Sequence, residues 1–133
     1  MTSKVTYLGN LRTECVHIQS GATIITDAPT DNHGKGEAFS PTDLAATSLG
    51  TCMLTIMAIK SNDLGIDLKD STVEVTKIMQ AEPRRISKII IVMNMAIAVD
   101  EKTKIILERT AMNCPVLLSL HTDIDKEITI NWK

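Results

Sequence analysis

The stretch Ser40–Ser61, SPTDLAATSLGTCMLTIMAIKS, decides how the rest of this chain is read. Ser40 suits the N-cap of a helix, Pro41 its first position and Asp43 the third, a Ser-x-x-Asp variant of the capping box that predicts a helix start. From Leu44 to Ile59 no residue is charged. As a helix that run is about 24 Å long, short of the roughly 30 Å core of a bilayer, and it carries Thr47, Ser48, Thr51 and Thr55. It reads as a buried core helix, and no segment reads as long enough to span a membrane. Ala45, Leu49, Cys52, Ile56 and Ile59 follow the spacing of one face, yet Leu44, Leu54 and Ala58 leave the other faces nearly as apolar. In a chain of 133 residues, cover for such a helix must come from a sheet, a second helix or a partner subunit.

Outward from the helix, the chain alternates between strands and turns. Lys4–Leu8, Arg12–Ile18 and Ala22–Thr26 read as three short strands separated by turn signals at Gly9-Asn10 and Ser20-Gly21, most simply an antiparallel meander. Alternation along the second strand puts Arg12, Glu14, Val16 and Ile18 on one face and Thr13, Cys15 and His17 on the other. Asp27–Phe39, DAPTDNHGKGEAF, has no apolar period and reads as a loop, either a flap over the start of the helix or a mobile connector.

Beyond the helix, Ser71–Gln80 and Ile86–Val99 read as a second antiparallel pair around a turn at Ala81–Arg85, with IIIVMNMAIAV continuous enough to suggest burial on both faces. Asp100–Asn113 reads as a helix that stops before Cys114-Pro115, because proline disfavours helical geometry in the residue before it. Pro115–Leu120 then begins a short helix, and Glu127–Asn131 is a last strand. Strands, helix, strands, helix, strand predict an α+β fold, with helices segregated on antiparallel sheet and all 133 residues in a single domain.

Composition narrows the function. Phe, Tyr and Trp occur once each, so the core is aliphatic and Met-rich. A net charge of -2 with scattered basic residues gives no footprint for nucleic acid. The N-terminus MTSKVTYLGN has no apolar run of a signal peptide, and a cytoplasmic location is the default expectation. His17, His33 and His121 show no short ligand spacing with each other, so no metal site is expected.

Cys15, Cys52 and Cys114 form no CxxC, and their odd number argues against a purely structural disulfide set. Buried cysteines are commonly inert packing residues, and that reading stands beside a functional one for each. Cys114, just before a helix-starting proline, has the position in which a helix dipole favours a thiolate; Cys52, mid-helix, would need a nearby cation.

The segment FSPTDLAATSLGTCMLTIMAI is similar to the signature of the OsmC/Ohr superfamily, in which a Pro-acidic-Leu-Ala-Ala helix carries a cysteine, and NCPVLLSL resembles its second cysteine motif. The resemblance implies an intertwined homodimer, with antiparallel sheets wrapped around long central helices and active sites at the subunit interface. It also implies thiol peroxidase chemistry on small organic hydroperoxides. Cys52 would be the peroxidatic thiolate and Cys114 the resolving thiol, with an external dithiol as reductant and no bound cofactor. Arg12 is the counterpart of an activating arginine, or else a solvated strand residue.

The family's glutamate, ten residues before the cysteine in the hydroperoxide-resistance branch, is Thr42 here, and Asp43 is the acidic neighbour. Nine residues of helix are a rotation of about 180°, so Asp43 reaches Cys52 only through a bend or from a partner subunit. Leu49, Met53 and Met57 are candidate walls of an apolar substrate pocket, or simply core. Thr42 favours an alternative, a non-peroxidatic dimer that binds a small apolar or electrophilic ligand. A purely structural homodimer is a third reading.

Overall fold

A computed structural model describes all 133 residues. The chain resolves into two compact units, Met1–Ala45 and Ala46–Lys133, with the boundary inside one unbroken helix.

The first unit is a three-stranded antiparallel meander of β1 (Ser3–Gly9), β2 (Arg12–His17) and β3 (Thr23–Asp27). The turn from β1 into β2 is tight enough that Asn10 and Leu11 both take left-handed backbone, at φ 54° and 63°. In the β2–β3 register Arg12 stands directly opposite Asp27, and Cys15 opposite Ile24. The loop that follows is folded on itself. Pro29 O accepts from Asn32 N and Gly34 N, each at 2.9 Å, and Ala28 O accepts from Gly36 N at 3.2 Å. Gly34 lies so close that a Cβ on it would fall 1.7 Å from Ala28 O, so only glycine fits there. Its base is closed by Asp27 N donating to Phe39 O at 3.0 Å.

Helix α1 (Pro41–Asp63) begins as the sequence predicts. Ser40 N donates to Asp43 Oδ2 at 2.9 Å and Asp43 N donates to Ser40 Oγ at 3.1 Å, the two reciprocal bonds of a capping box. The helix continues past the expected end, and at 23 residues with a mean hydropathy of 1.4 in its most apolar window it is long and apolar enough to cross a membrane by length and composition. That corrects the shorter estimate, which rested on the uncharged run alone. The helix nevertheless has the face of a core helix: Ala46, Leu49, Gly50, Met53, Met57 and Ser61 are buried.

The second unit supplies the cover for that face. Strands β4 (Thr72–Gln80) and β5 (Arg85–Asn94) pair antiparallel, with Val73 opposite Met93 and Val75 opposite Ile91. A Cβ on Gly50 would lie 2.8 Å from Val75 Cγ2 and 3.0 Å from Val73 Cγ1, so this glycine lets the helix backbone settle onto β4. β5 ends at Asn94, earlier than expected; Met95 N then donates to Asn131 O at 2.8 Å and Ala96 N to Ser71 Oγ at 3.0 Å, which turns the chain out of the sheet.

Helix α2 (Glu101–Ala111) is capped by Asp100, whose side chain accepts from Thr103 N at 2.9 Å. It is followed by α3 (Pro115–Ser119) and β6 (Asp125–Asn131). β6 pairs parallel with β5, with Ile128 opposite Ile91 and Ile130 opposite Met93. The expectation of wholly antiparallel sheets is therefore corrected for this strand. The two helices between β5 and β6 form the crossover that a parallel pair needs.

Candidate functional site

Cys52 lies on the flank of the buried stripe of α1 and is half-buried, whereas Cys114 is fully buried at the junction between α2 and α3. Both are free thiols, and Cys52 is among the groups whose proximity raises the Cys114 thiol. The residues that bring Cys114 there are local. α2 ends when Asn113 N and Cys114 N fold back on Thr110 O and Ala111 O, and Pro115 starts the next helix with its φ already suited to that position.

Cys114 is itself the N-cap of α3, its Sγ accepting from Leu117 N at 3.3 Å. Burial pushes its thiol above the ordinary range, and the neighbouring Cys52 adds to the rise against the lowering effect of the Leu117 and Val116 amides. The expected dipole-favoured thiolate at Cys114 is thus corrected. A helix of five residues has little dipole, and full burial outweighs it. The arrangement is asymmetric, a half-buried thiol beside a fully buried one whose burial favours the protonated form.

Arg12, in the N-terminal unit, is held by two carboxylates absent from the sequence-based site. Its Nε donates to Asp27 Oδ1 and its Nη2 to Asp27 Oδ2, each at 2.8 Å, and Nη2 also donates to Glu37 Oε2 at 3.1 Å. Asp27 is 2% exposed, and its Oδ2 accepts a further bond from Glu37 N at 3.1 Å. The two carboxylates reinforce the protonated guanidinium, Asp27 most. A cavity of about 120 Å³ opens beside the group, lined by Leu8, Gly9, Asn10, Arg12, Asp27 and Lys35.

The Arg12 hydrogen bonds hold the Asp27 carboxyl below its ordinary range despite its burial. Since the folded value lies below the unfolded one, this stabilisation is complete above about pH 4 and is lost as pH falls through the depressed folded value. Acid unfolding of the wild type is expected to contain a component below about pH 4 that Asp27→Asn lacks. Superimposable acid transitions would remove this role for Asp27.

The remaining candidates have simpler surroundings. Asp43 forms the capping box described above, and the carboxylates on Arg12 are those of Asp27 and Glu37. Leu49, Met53 and Met57 are fully buried core, the second of the two readings that their spacing allows. Cys15 is half-buried with Thr13 Oγ1 at 4.0 Å. His17 Nδ1 is 2.6 Å from Ser20 Oγ, and His121 Nδ1 accepts from Asp123 N at 3.0 Å.

A family model described as OsmC-like protein matches residues 34–129. The chain belongs to the OsmC-like family. That match includes Glu37, Asp43, Cys52 and Cys114, while Arg12 and Asp27 precede it. Among solved structures, this OsmC-like chain is similar to a Psychrobacter arcticus 273-4 protein, provisionally described as an osmotic stress induced and detoxification response protein. The two are 55% identical over 98% of this chain and 96% of that one, with a TM-score of 0.95.

More distant structures share the fold. An organic hydroperoxide resistance protein OsmC of Legionella pneumophila is 17% identical over 98% of this chain and 97% of its own, with a TM-score of 0.72. The organic hydroperoxide resistance protein OhrB of Bacillus subtilis is 17% identical over 100% and 98%, with a TM-score of 0.65. No curated protein matches the chain in sequence.

Proposed function

We propose that this OsmC-like protein is a thiol peroxidase for organic hydroperoxides, and the observation that carries the reading is the pairing of a half-buried Cys52 with a fully buried Cys114 whose thiol is pushed up by burial and by this neighbour. The Cys52 thiol gives its proton to solvent and the thiolate attacks the outer peroxide oxygen; the O–O bond breaks, that oxygen stays as a sulfenic acid with its own proton, and the other leaves as alkoxide, which takes a proton back from solvent to become the alcohol. The Cys114 thiol then displaces water to form the Cys52–Cys114 disulfide. A dithiol reductant returns both to thiols, a cycle suited to a reducing compartment such as the cytoplasm.

Arg12 is assigned the part of the activating arginine by its likeness to the family's, a part in which a guanidinium's several donors serve better than a single ammonium. Thr42 gives the chain no glutamate there, but Arg12 has carboxylate partners in Asp27 and Glu37, so this departure no longer favours a non-peroxidatic ligand binder.

The working form in this reading is a homodimer. Only 28% of the most apolar window of α1 is buried within the single chain, and Ile59 on that helix is 61% exposed. In the N-terminal sheet Val5, Tyr7 and Ile24 are exposed as well. Apolar surface of this extent is what a second copy would cover.

The test mixes reduced protein with one equivalent of an organic hydroperoxide, and separately of hydrogen peroxide, and follows thiol loss and disulfide mapping by mass spectrometry. Rapid formation of a Cys52–Cys114 disulfide, faster with the organic substrate, is the expected result. Persistence of both thiols at the rate of free cysteine would sink the peroxidase reading.

A further inference from the structure

We propose that the reduced Cys52–Cys114 pair is a two-coordinate site for a soft monovalent cation, Cu(I), held between the two sulfurs. The site lies wholly within the second unit. It goes beyond the peroxidase reading and does not depend on it, since a metal needs the two thiols and not their reaction with peroxide.

The donors choose the cation. Both cysteines are free, one midway along α1 and the other at the junction of α2 and α3, and they are neighbours in space. Thiolate sulfur is a soft donor that selects Cu(I), zinc and iron–sulfur clusters over calcium or magnesium. Zinc and the clusters ask for four ligands. Nowhere in the chain do three or more His, Cys, Asp or Glu side chains come together so as to hold a metal. Two sulfurs without a third such donor suit an ion that is satisfied by two, and filled-shell Cu(I) is such an ion.

The surroundings favour the same choice. Cys114 is fully buried, and so are Leu49 and Met53 near Cys52 in α1 and Leu107 and Ala111 near the end of α2. A hydrated divalent ion would shed its water there with no oxygens to replace it. Burial resists a free thiolate at Cys114, whereas two thiolates sharing one cation carry a single net negative charge. Leu117 N donates to Cys114 Sγ at 3.3 Å, and because it uses a lone pair of the sulfur, this bond survives the exchange of S–H for S–Cu. Half-buried Cys52 marks the side from which the ion enters.

Each thiol gives its proton to solvent, each S–H bond is replaced by an S–Cu bond, and copper remains Cu(I), so no electron moves. A cation held in this way occupies both sulfurs and withdraws them from peroxide.

The test is an anaerobic titration of the reduced, full-length protein with Cu(I) in competition with bathocuproine disulfonate, whose colour reports the copper it retains. Wild type and Cys15→Ser are expected to take one Cu(I) per chain with equal affinity. Cys52→Ser and Cys114→Ser should each bind about 100-fold more weakly or worse, the usual share of one ligand in a tightly held metal. Serine is itself a good N-cap, so Cys114→Ser keeps the start of α3. Zn(II) offered to the same protein should stay with a metallochromic chelator.

Undiminished affinity in either single variant, a loss in Cys15→Ser, or Zn(II) held one per chain would overturn the proposal, as would a wild type that takes no Cu(I). Should a single variant fail to fold, alkylation of wild type by iodoacetamide decides. One equivalent of Cu(I) is expected to protect Cys52 and leave Cys15 as reactive as before, and an unprotected Cys52 overturns the site. The hydroperoxide assay separates the two readings. Disulfide formation without Cu(I) binding removes the metal site alone, and Cu(I) binding without disulfide formation removes the peroxidase alone.

Discussion

In Cys52→Ser, an organic hydroperoxide is expected to leave Cys114 reduced, with consumption falling to that of an unassisted thiol, a loss on the order of 1000-fold or more. The reason is the asymmetry of the pair. Cys114 is fully buried and its thiol is pushed up by that burial, so it is neither accessible to peroxide nor present as the nucleophilic thiolate. Cys114→Ser should behave differently. Cys52 still reacts once, and the product stops at a sulfenic acid that a 1,3-diketone reagent traps and mass spectrometry weighs. If both variants kept first-turnover reactivity, or if Cys52→Ser alone kept it, the roles assigned to the two thiols would be reversed or shared.

Met53→Ala is expected to lower stability by about 2–5 kcal/mol, read as a fall in denaturation midpoint at fixed protein concentration. Met53 is fully buried in the middle of the α1 face that packs on β4 and β5. The cost of such a deletion depends on how far the surroundings can collapse into the void. Here the helix already touches β4 through Gly50, where even a Cβ would lie 2.8 Å from Val75 Cγ2. The backbone has no room to move closer, and the cavity should stay open. A loss below about 1 kcal/mol would show that the helix can slide or that a neighbouring methionine fills the gap.

Much of this was legible in sequence because it is local. Ser40 and Asp43 announce α1 through a capping box that needs only four residues, and both bonds are present. Cys114-Pro115 separates α2 from α3 through the stereochemistry of one imino acid. The phase of α1 was harder to read. Cys52 shares a helical spacing with Leu49 and Ile56, but every face of that helix is apolar, and the sheet selects the stripe that contains Gly50 because only there can the backbones approach.

The parallel pairing of β6 is set by a crossover between distant segments, on which alternation within a strand carries no information. Asp27 was hidden by register. A two-residue turn at Ser20-Gly21 would set Arg12 opposite Pro29, whereas the observed connection sets it opposite Asp27, and a carboxylate that looks like the first residue of a loop becomes the last of a strand. Glu37 gave no signal of its own, since its approach depends on a loop that folds back on Gly34.

The sulfur that caps α3 ties an oxidation state to a piece of secondary structure. In the thiol form Cys114 accepts from Leu117 N and completes the first turn of that helix. Once that sulfur is turned toward Cys52 in a disulfide, the amide loses its acceptor, so the dithiol state carries a stabilisation that the oxidised state lacks. An N-cap is worth up to about 1 kcal/mol, which for a two-electron couple corresponds to about 20 mV toward the oxidising side. The protein would thus be easier to recycle than an uncapped dithiol, and the helix next to its disulfide would loosen at the moment a reductant has to reach the sulfur.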